Sequence, residues 1–165
     1  MVKKKICMVG SFAVGKTSLV ARFVNSIFSD KYHTTVGVKV DKKSVTVQDT
    51  PVDLMIWDLA GEDQFQQLKL SYIKGASGYL LVCDGTRKTT FDKALELKDR
   101  IETHLEPLPF FLLINKSDLK SDWEISENDL SQLKEQNWTI YQTSAKSGDY
   151  VEEAFTLLTE KMLHA

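Results

Sequence analysis

Long apolar runs are absent from this chain: none of its 165 residues fall in a stretch approaching the roughly 20 apolar positions that a membrane-crossing helix needs. The amino terminus, Met1-Val2-Lys3-Lys4-Lys5, also lacks the charged-then-apolar order of a secretory leader at sufficient length. Only two cysteines are present, Cys7 and Cys83, each inside an apolar, strand-like run. In a chain without secretory features, both are expected to be buried and reduced, in a cytosolic setting. Neither sign of charge dominates: 21 Lys and Arg stand against 23 Asp and Glu, a formal charge of −2. That balance excludes the electrostatic footprint of a nucleic-acid binder. Lys3, Lys4 and Lys5 form the one basic cluster, read as a solvated strand entrance. There is no internal repeat, linker or low-complexity run. The length is that of one domain, whose core buries roughly 70% of the unfolded chain's surface.

What is present begins with Gly10-Ser11-Phe12-Ala13-Val14-Gly15-Lys16-Thr17. A strand-like run feeds it and helix-forming residues follow, the context in which G-x-x-x-x-G-K-T marks a phosphate-binding loop. Backbone N–H groups at the positive end of a helix suit densely charged phosphates. Gly10 and Gly15 let the loop wrap a phosphate chain with no side chain in the way. Lys16 reaches the β- and γ-phosphates, and the Thr17 hydroxyl is a ligand for Mg²⁺.

A second motif selects the base. The apolar run Leu112-Leu113-Ile114 ends in Asn115-Lys116-Ser117-Asp118. A carboxylate at Asp118 accepts from both N1–H and the exocyclic amine of guanine. Adenine presents an acceptor at that ring nitrogen and would leave the charge unpaired, the kind of mismatch that a built hydrogen-bonding site rejects strongly.

Apolar runs of strand length alternate with amphipathic segments of helix length, the pattern of a doubly wound α/β fold. Strands are expected near 3–9, 38–47, 52–58, 78–84, 109–115 and 138–143, and helices near 16–26, 65–74, 90–104, 126–136 and 149–163. The stretch 38–58 has no helical period, and Gln48-Asp49-Thr50-Pro51 breaks it in two. This predicts a hairpin carrying the one antiparallel edge strand of a mostly parallel six-stranded sheet. Ser126-Glu127-Asn128-Asp129 is a capping signal for one helix, and Ser147-Gly148-Asp149 for the last. Neighbouring strands would carry Cys7 and Cys83, setting the thiols fairly close. Ligand is expected at the carboxyl ends of the strands.

Three more segments lie in order between and after these motifs: Thr34-Thr35-Val36-Gly37, Trp57-Asp58-Leu59-Ala60-Gly61 and Thr143-Ser144-Ala145-Lys146. Together the five resemble the signatures of the Ras-like small GTPases, and the resemblance covers nearly the whole chain. The segment Trp57–Gly61 and the run 71–86 are most similar to the Rab branch. The resemblance implies a P-loop GTPase (G) domain over 1–165 that binds GTP or GDP with Mg²⁺. Nucleotide contacts would come from Ser11, Phe12, Ala13, Val14, Gly15, Lys16, Thr17 and Ser18 around the phosphates. Phe28, Asn115, Lys116, Asp118, Ser144, Ala145 and Lys146 would surround the base, with Thr35 and Gly61 reaching the γ-phosphate. Phe28 has a second reading, a helix-end aromatic closing the core. Thr17, Thr35 and Asp58 would hold the metal, the Thr-Val-Gly frame favouring Thr35 over Thr34. Lys16, Gly61 and Glu62 stand at the positions for catalysis. Effectors and regulators would meet the two switch segments that the resemblance implies, near 28–38 and 60–74.

Departures from the family pattern carry their own expectations. Glu62 stands where relatives have glutamine, and Phe65 keeps the frame, so Gln64 is not a substitute. An ionised Glu62 accepts from water but does not donate to phosphate, and it adds charge near the γ-phosphate. Losing one transition-state donor costs roughly 3 kcal/mol. Phe12 occupies a loop position usually held by a small residue. Its ring either crowds the water-positioning side chain and any arginine finger, or turns away and packs on the second switch. Val40 replaces an aromatic of the Rab branch, which weakens any transfer of Rab effector specificity. Trp123, Trp138 and the histidines fall outside every motif and read as packing or surface residues. The expected function is a switch in signalling or trafficking with slow GTP hydrolysis. The alternative is a GTP-bound scaffold or binding module with negligible hydrolysis. The chain closes on Lys161-Met162-Leu163-His164-Ala165 without the cysteines that Rab-like tails prenylate. Membrane association is expected only through a missing tail or a partner.

Overall fold

The alternation of apolar side chains along β1 (Val2–Gly10) sets up two core layers. Ile6 and Met8 enter one and Cys7 and Val9 the other, all fully buried, as in a strand covered on both faces. The computed structural model describes residues 1–29, 35, 37–62 and 67–165. β2 (Val38–Val47) and β3 (Thr50–Leu59) form an antiparallel hairpin. Gln48 and Asp49 are both left-handed (φ 49° and 64°), the geometry of a two-residue turn that matches strand twist. β4 (Gly78–Asp84), β5 (Phe110–Asn115) and β6 (Ile140–Thr143) complete a six-stranded sheet in the order β2-β3-β1-β4-β5-β6. Every pairing except β2 with β3 is parallel, as expected from the alternating pattern.

α1 (Lys16–Asn25) and α5 (Val151–Leu163) cover the layer holding Ile6, Leu54, Leu80 and Leu113, with Phe23 and Phe155 stacked at 4.1 Å between ring centroids. α3 (Lys88–His104) covers the opposite layer with Phe91, Ala94, Leu97 and Ile101, and α4 (Glu127–Glu135) adds Leu130 and Leu133. Ser126 caps α4: its hydroxyl accepts from the Asp129 N–H while the Asp129 carboxylate accepts from Ser126 N–H.

Three local expectations are corrected. α2 is one turn, Leu70–Ile73, where a helix was expected over 65–74; positions 65 and 66 lie outside the described residues. Residues 67–69 are not helical, and the Leu68 N–H donates to the Glu62 carboxylate (2.8 Å). The last helix is preceded not by a Ser147 or Asp149 cap but by Tyr150 in the left-handed region (φ 56°), with no side-chain cap bond. Cys7 and Cys83 are both buried and free, but Cys7 aligns with Tyr79, four positions before Cys83. At about 3.3 Å per residue the two lie roughly 13 Å apart along the sheet. Burial pushes the Cys7 thiol up to about 12, and it pushes Cys83 up as well.

Candidate nucleotide site

β1 neighbours β3 on one side and β4 on the other, so the loops after these strands diverge and leave a crevice at their carboxyl ends. A cavity of about 290 Å³ occupies it. Phe12, Ala13 and Gly15 line it from the loop after β1, Lys16, Thr17 and Ser18 from the first turn of α1, and Thr35 and Gly61 from the two segments flanking the β2–β3 hairpin. Phe28, Asn115, Lys116, Asp118, Ala145 and Lys146 complete the wall. Ser29 and Leu119 line it too, and no motif points to them. Thr34 and Gln64 lie outside the described residues.

Four foreseen residues stand behind this wall. Val14 is fully buried in the core below α1, and its carbonyl accepts from Asn115 Nδ2 (3.0 Å). Ser11 pairs with Glu62 in an isolated parallel bridge. Ser144 is fully buried and its hydroxyl donates to Asp118 Oδ1 (2.8 Å), fixing how that carboxylate is presented. Asp58, 1% exposed, closes the floor. Asn115 also accepts from Thr143 Oγ1 (3.2 Å), so its amide ties the phosphate loop to the base-side loops. That strut is why position 15 must be glycine: a Cβ there would meet Asn115 Nδ2 at 2.2 Å, and φ is +102°.

Three oxygens converge beside the loop. Thr17 Oγ1 donates to Asp58 Oδ2 (2.5 Å) and lies 2.9 Å from Thr35 Oγ1, itself 3.4 Å from Asp58 Oδ2. The second Asp58 oxygen is buried with no hydrogen-bond partner among the described residues. Burial raises the Asp58 carboxyl, with the Thr17 hydroxyl opposing. Among the described residues no three His, Cys, Asp or Glu side chains cluster to hold an ion. One carboxylate with two hydroxyls, one oxygen orphaned, fits a hard cation that draws its other ligands from phosphate and water. Lys16 folds over the loop, donating to the Gly10 (3.2 Å) and Ser11 (2.9 Å) carbonyls. Burial pushes its ammonium down to about 8 against the pull of Asp58.

Glu62 is placed differently from its expected position beside the γ-phosphate. It does not line the cavity and is only 7% exposed. Its carboxylate pairs with Arg100 and with Lys93 Nζ (2.8 Å), and accepts the Leu68 N–H. Lys93 and Arg100 are seven residues apart on α3, hence on one face, and the carboxylate follows two cations rather than staying near the cleft. Its backbone stays at the loop: Glu62 N–H donates to Gly10 O and Phe12 N–H to Glu62 O, both at 3.2 Å. Gly61 is pressed so closely on this loop that a Cβ would meet Phe12 Cα at 2.5 Å.

Burial alone would raise the Glu62 carboxyl, but Arg100, Lys93 and the Leu68 amide outweigh it and hold it down to about 2. A folded value below the ordinary 4.5 means the pairing stabilises fully above that value and is lost as pH falls toward 2. Glu62→Gln is expected to cost about 2 kcal/mol at neutral pH. The gap from the parent should shrink steadily below pH 4.5, as urea unfolding across pH would show. A gap unchanged down to about pH 3 would contradict the ion pairing.

Several supporting residues carry no motif signal. Arg87 donates to the Phe12 and Ala13 carbonyls, and Arg22 to those of Ala145 and Lys146. Trp123, read from sequence as packing or surface, donates its indole N–H to the Lys116 carbonyl (2.9 Å) and braces the left-handed turn at Lys116 (φ 71°).

A sequence model of the Ras family matches residues 5–164. The chain belongs to the Ras family. Ras-related protein Rab-7L1 of Rattus norvegicus is 37% identical over 170 residues, spanning 97% of this chain and 82% of that protein. Ras-related protein Rab-32 of Mus musculus is 36% identical over 167 residues, spanning 96% and 75%. Ras-related protein Rab-1 of Theileria parva is 34% identical over 161 residues, spanning 96% and 73%. The similarity is to the Rab branch, and membership supports a GTP-binding switch of the Ras and Rab type, from a family of GTPases. No helix among the described residues is long and apolar enough to cross a membrane.

Proposed function

We propose that this chain is a single G domain that binds GTP and GDP with Mg²⁺, hydrolyses GTP slowly, and engages effectors and regulators through its two switch segments. The observation that carries the reading is the convergence of Thr17, Thr35 and Asp58 with an orphaned carboxylate oxygen, next to the loop that Lys16 closes. Lys16 and the loop amides hold the phosphates. Thr17, Thr35 and Asp58 hold the metal, which neutralises phosphate charge when bound. Asp118, oriented by Ser144, reads the guanine edge beside Ala145 and Lys146, with Phe28 against the ring. Thr35 and Gly61 have a γ-phosphate partner in one nucleotide state only, which makes the segments around them responsive.

Protein purified natively should release GDP or GTP on denaturation, and excess ATP should not compete. Tight ATP binding would overturn the assignment. Hydrogen exchange over 28–38 and 60–74 should slow with a GTP analogue relative to GDP; equal exchange in both states would leave a static binding module.

The second reading, a GTP-loaded scaffold with negligible hydrolysis, is favoured by Glu62 itself, whose carboxylate is engaged by α3. Single-turnover hydrolysis of bound GTP separates the two. Residence is proposed to be cytoplasmic, with membrane contact through a lipidated tail or a partner.

A further inference from the structure

Two arginines far apart in sequence make the same arrangement at the two ends of the cleft. Arg87, just before α3, donates Nη2 to the carbonyls of Phe12 (3.1 Å) and Ala13 (2.8 Å). Arg22, on α1, donates Nε to the Ala145 carbonyl (2.7 Å) and Nη2 to that of Lys146. In a planar trans peptide the C=O and the following N–H point oppositely. Drawing the Phe12 and Ala13 carbonyls outward therefore turns the Ala13 and Val14 amides toward the cleft. Drawing out the Ala145 carbonyl does the same for Lys146 N–H. The left-handed Ala13 (φ 62°) and Gly15 fit such a concave row of amides.

We propose that Arg87 and Arg22 are the positioning residues of the nucleotide site, Arg87 for the phosphate loop and Arg22 for the base-side loop. This rests on the guanine-nucleotide reading above. A guanidinium suits the task because its rigid fork serves two acceptors at once. Arg87 is itself held: its Nε donates to Asp84 Oδ2 (3.0 Å), and Asp84 is only 1% exposed. The same carboxylate oxygen takes Lys116 Nζ (2.8 Å), while the other accepts Thr86 N–H (2.9 Å) and Oγ1 (2.7 Å). Asp84 thus joins the arginine behind the phosphate loop to the lysine of the base motif.

The assignment separates in a competition assay against fluorescent GDP, reading GDP and GMP affinities for each variant. Arg87→Ala should lower GDP affinity by about thirtyfold and GMP affinity by no more than about threefold, because loop amides serve the β-phosphate that GMP lacks. Arg22→Ala should lower both by about tenfold and leave their ratio unchanged, because the base is common to both. Arg87→Lys, which keeps the charge and loses the fork, should recover only part of the ratio. Should Arg87→Ala not fold, Arg87→Lys and Arg87→Gln carry the comparison, with thermal melting as the check on folding. Equal losses for GDP and GMP in a folded Arg87 variant would overturn the proposal, as would a ratio change caused by Arg22→Ala. A parent chain that binds neither GDP nor GMP would instead remove the guanine-nucleotide reading on which the proposal stands.

Discussion

Asp118→Asn is expected to weaken GDP binding by about a thousandfold and to raise affinity for xanthosine diphosphate, since a site built for one hydrogen-bonding edge discriminates on this scale. An ionised carboxylate accepts from N1–H and the exocyclic amine together. Asparagine offers one acceptor and one donor, which match xanthine, whose ring carries a carbonyl where guanine carries the amine. The Ser144 hydroxyl on Asp118 Oδ1 keeps the group presented to the cleft, so the exchange alters chemistry more than placement. Competition with GDP, XDP and ADP measures it. Unchanged GDP affinity in the variant would remove Asp118 from base recognition.

Phe12→Gly combined with Glu62→Gln should raise single-turnover GTP hydrolysis by about a hundredfold, the scale of one restored transition-state donor. The parent's Glu62 side chain is held by Lys93 and Arg100, away from the cavity that Phe12 lines. A neutral amide loses most of that attraction to α3 and regains a donor for phosphate oxygen. It then needs room at the cleft, whose wall Phe12 lines. The two changes share one space, so their combined effect should exceed the product of the single effects. A combined effect at or below that product would mean Phe12 does not obstruct. A Glu62→Gln rate below the parent's would mean that the carboxylate leaves α3 in the GTP state and positions water itself.

Local pattern was enough for the sheet and its two chemical loops. Strand-length apolar runs separated by amphipathic segments specify a parallel α/β sheet whoever the partners are. The phosphate and base motifs each compress into eight residues or fewer, because a loop wrapping one ligand is built from consecutive amides. The boundary of α2 was not legible, since Leu68 gives its N–H to Glu62 rather than to a helix. The Cys7 to Cys83 separation was not legible either: strand adjacency follows from pattern, but register does not.

From the sequence alone came the fold class, the phosphate-loop motif, and the residues proposed to read the base, Asp118, and to hold the metal, Thr17, Thr35 and Asp58, whose motifs all stand in contiguous stretches. The tertiary structure alone decided where Glu62 points, what orders the Phe12 to Ala13 and Ala145 to Lys146 carbonyls, and how Trp123 serves the base loop. Glu62 meets Arg100 across 38 positions, Arg87 meets the phosphate loop across 74 and 75, and Arg22 meets its loop across 123 and 124. An arginine or a glutamate has no local pattern that names its partner. Its partner is whichever opposite charge or open carbonyl the strand order brings within reach, and only the folded sheet sets that order.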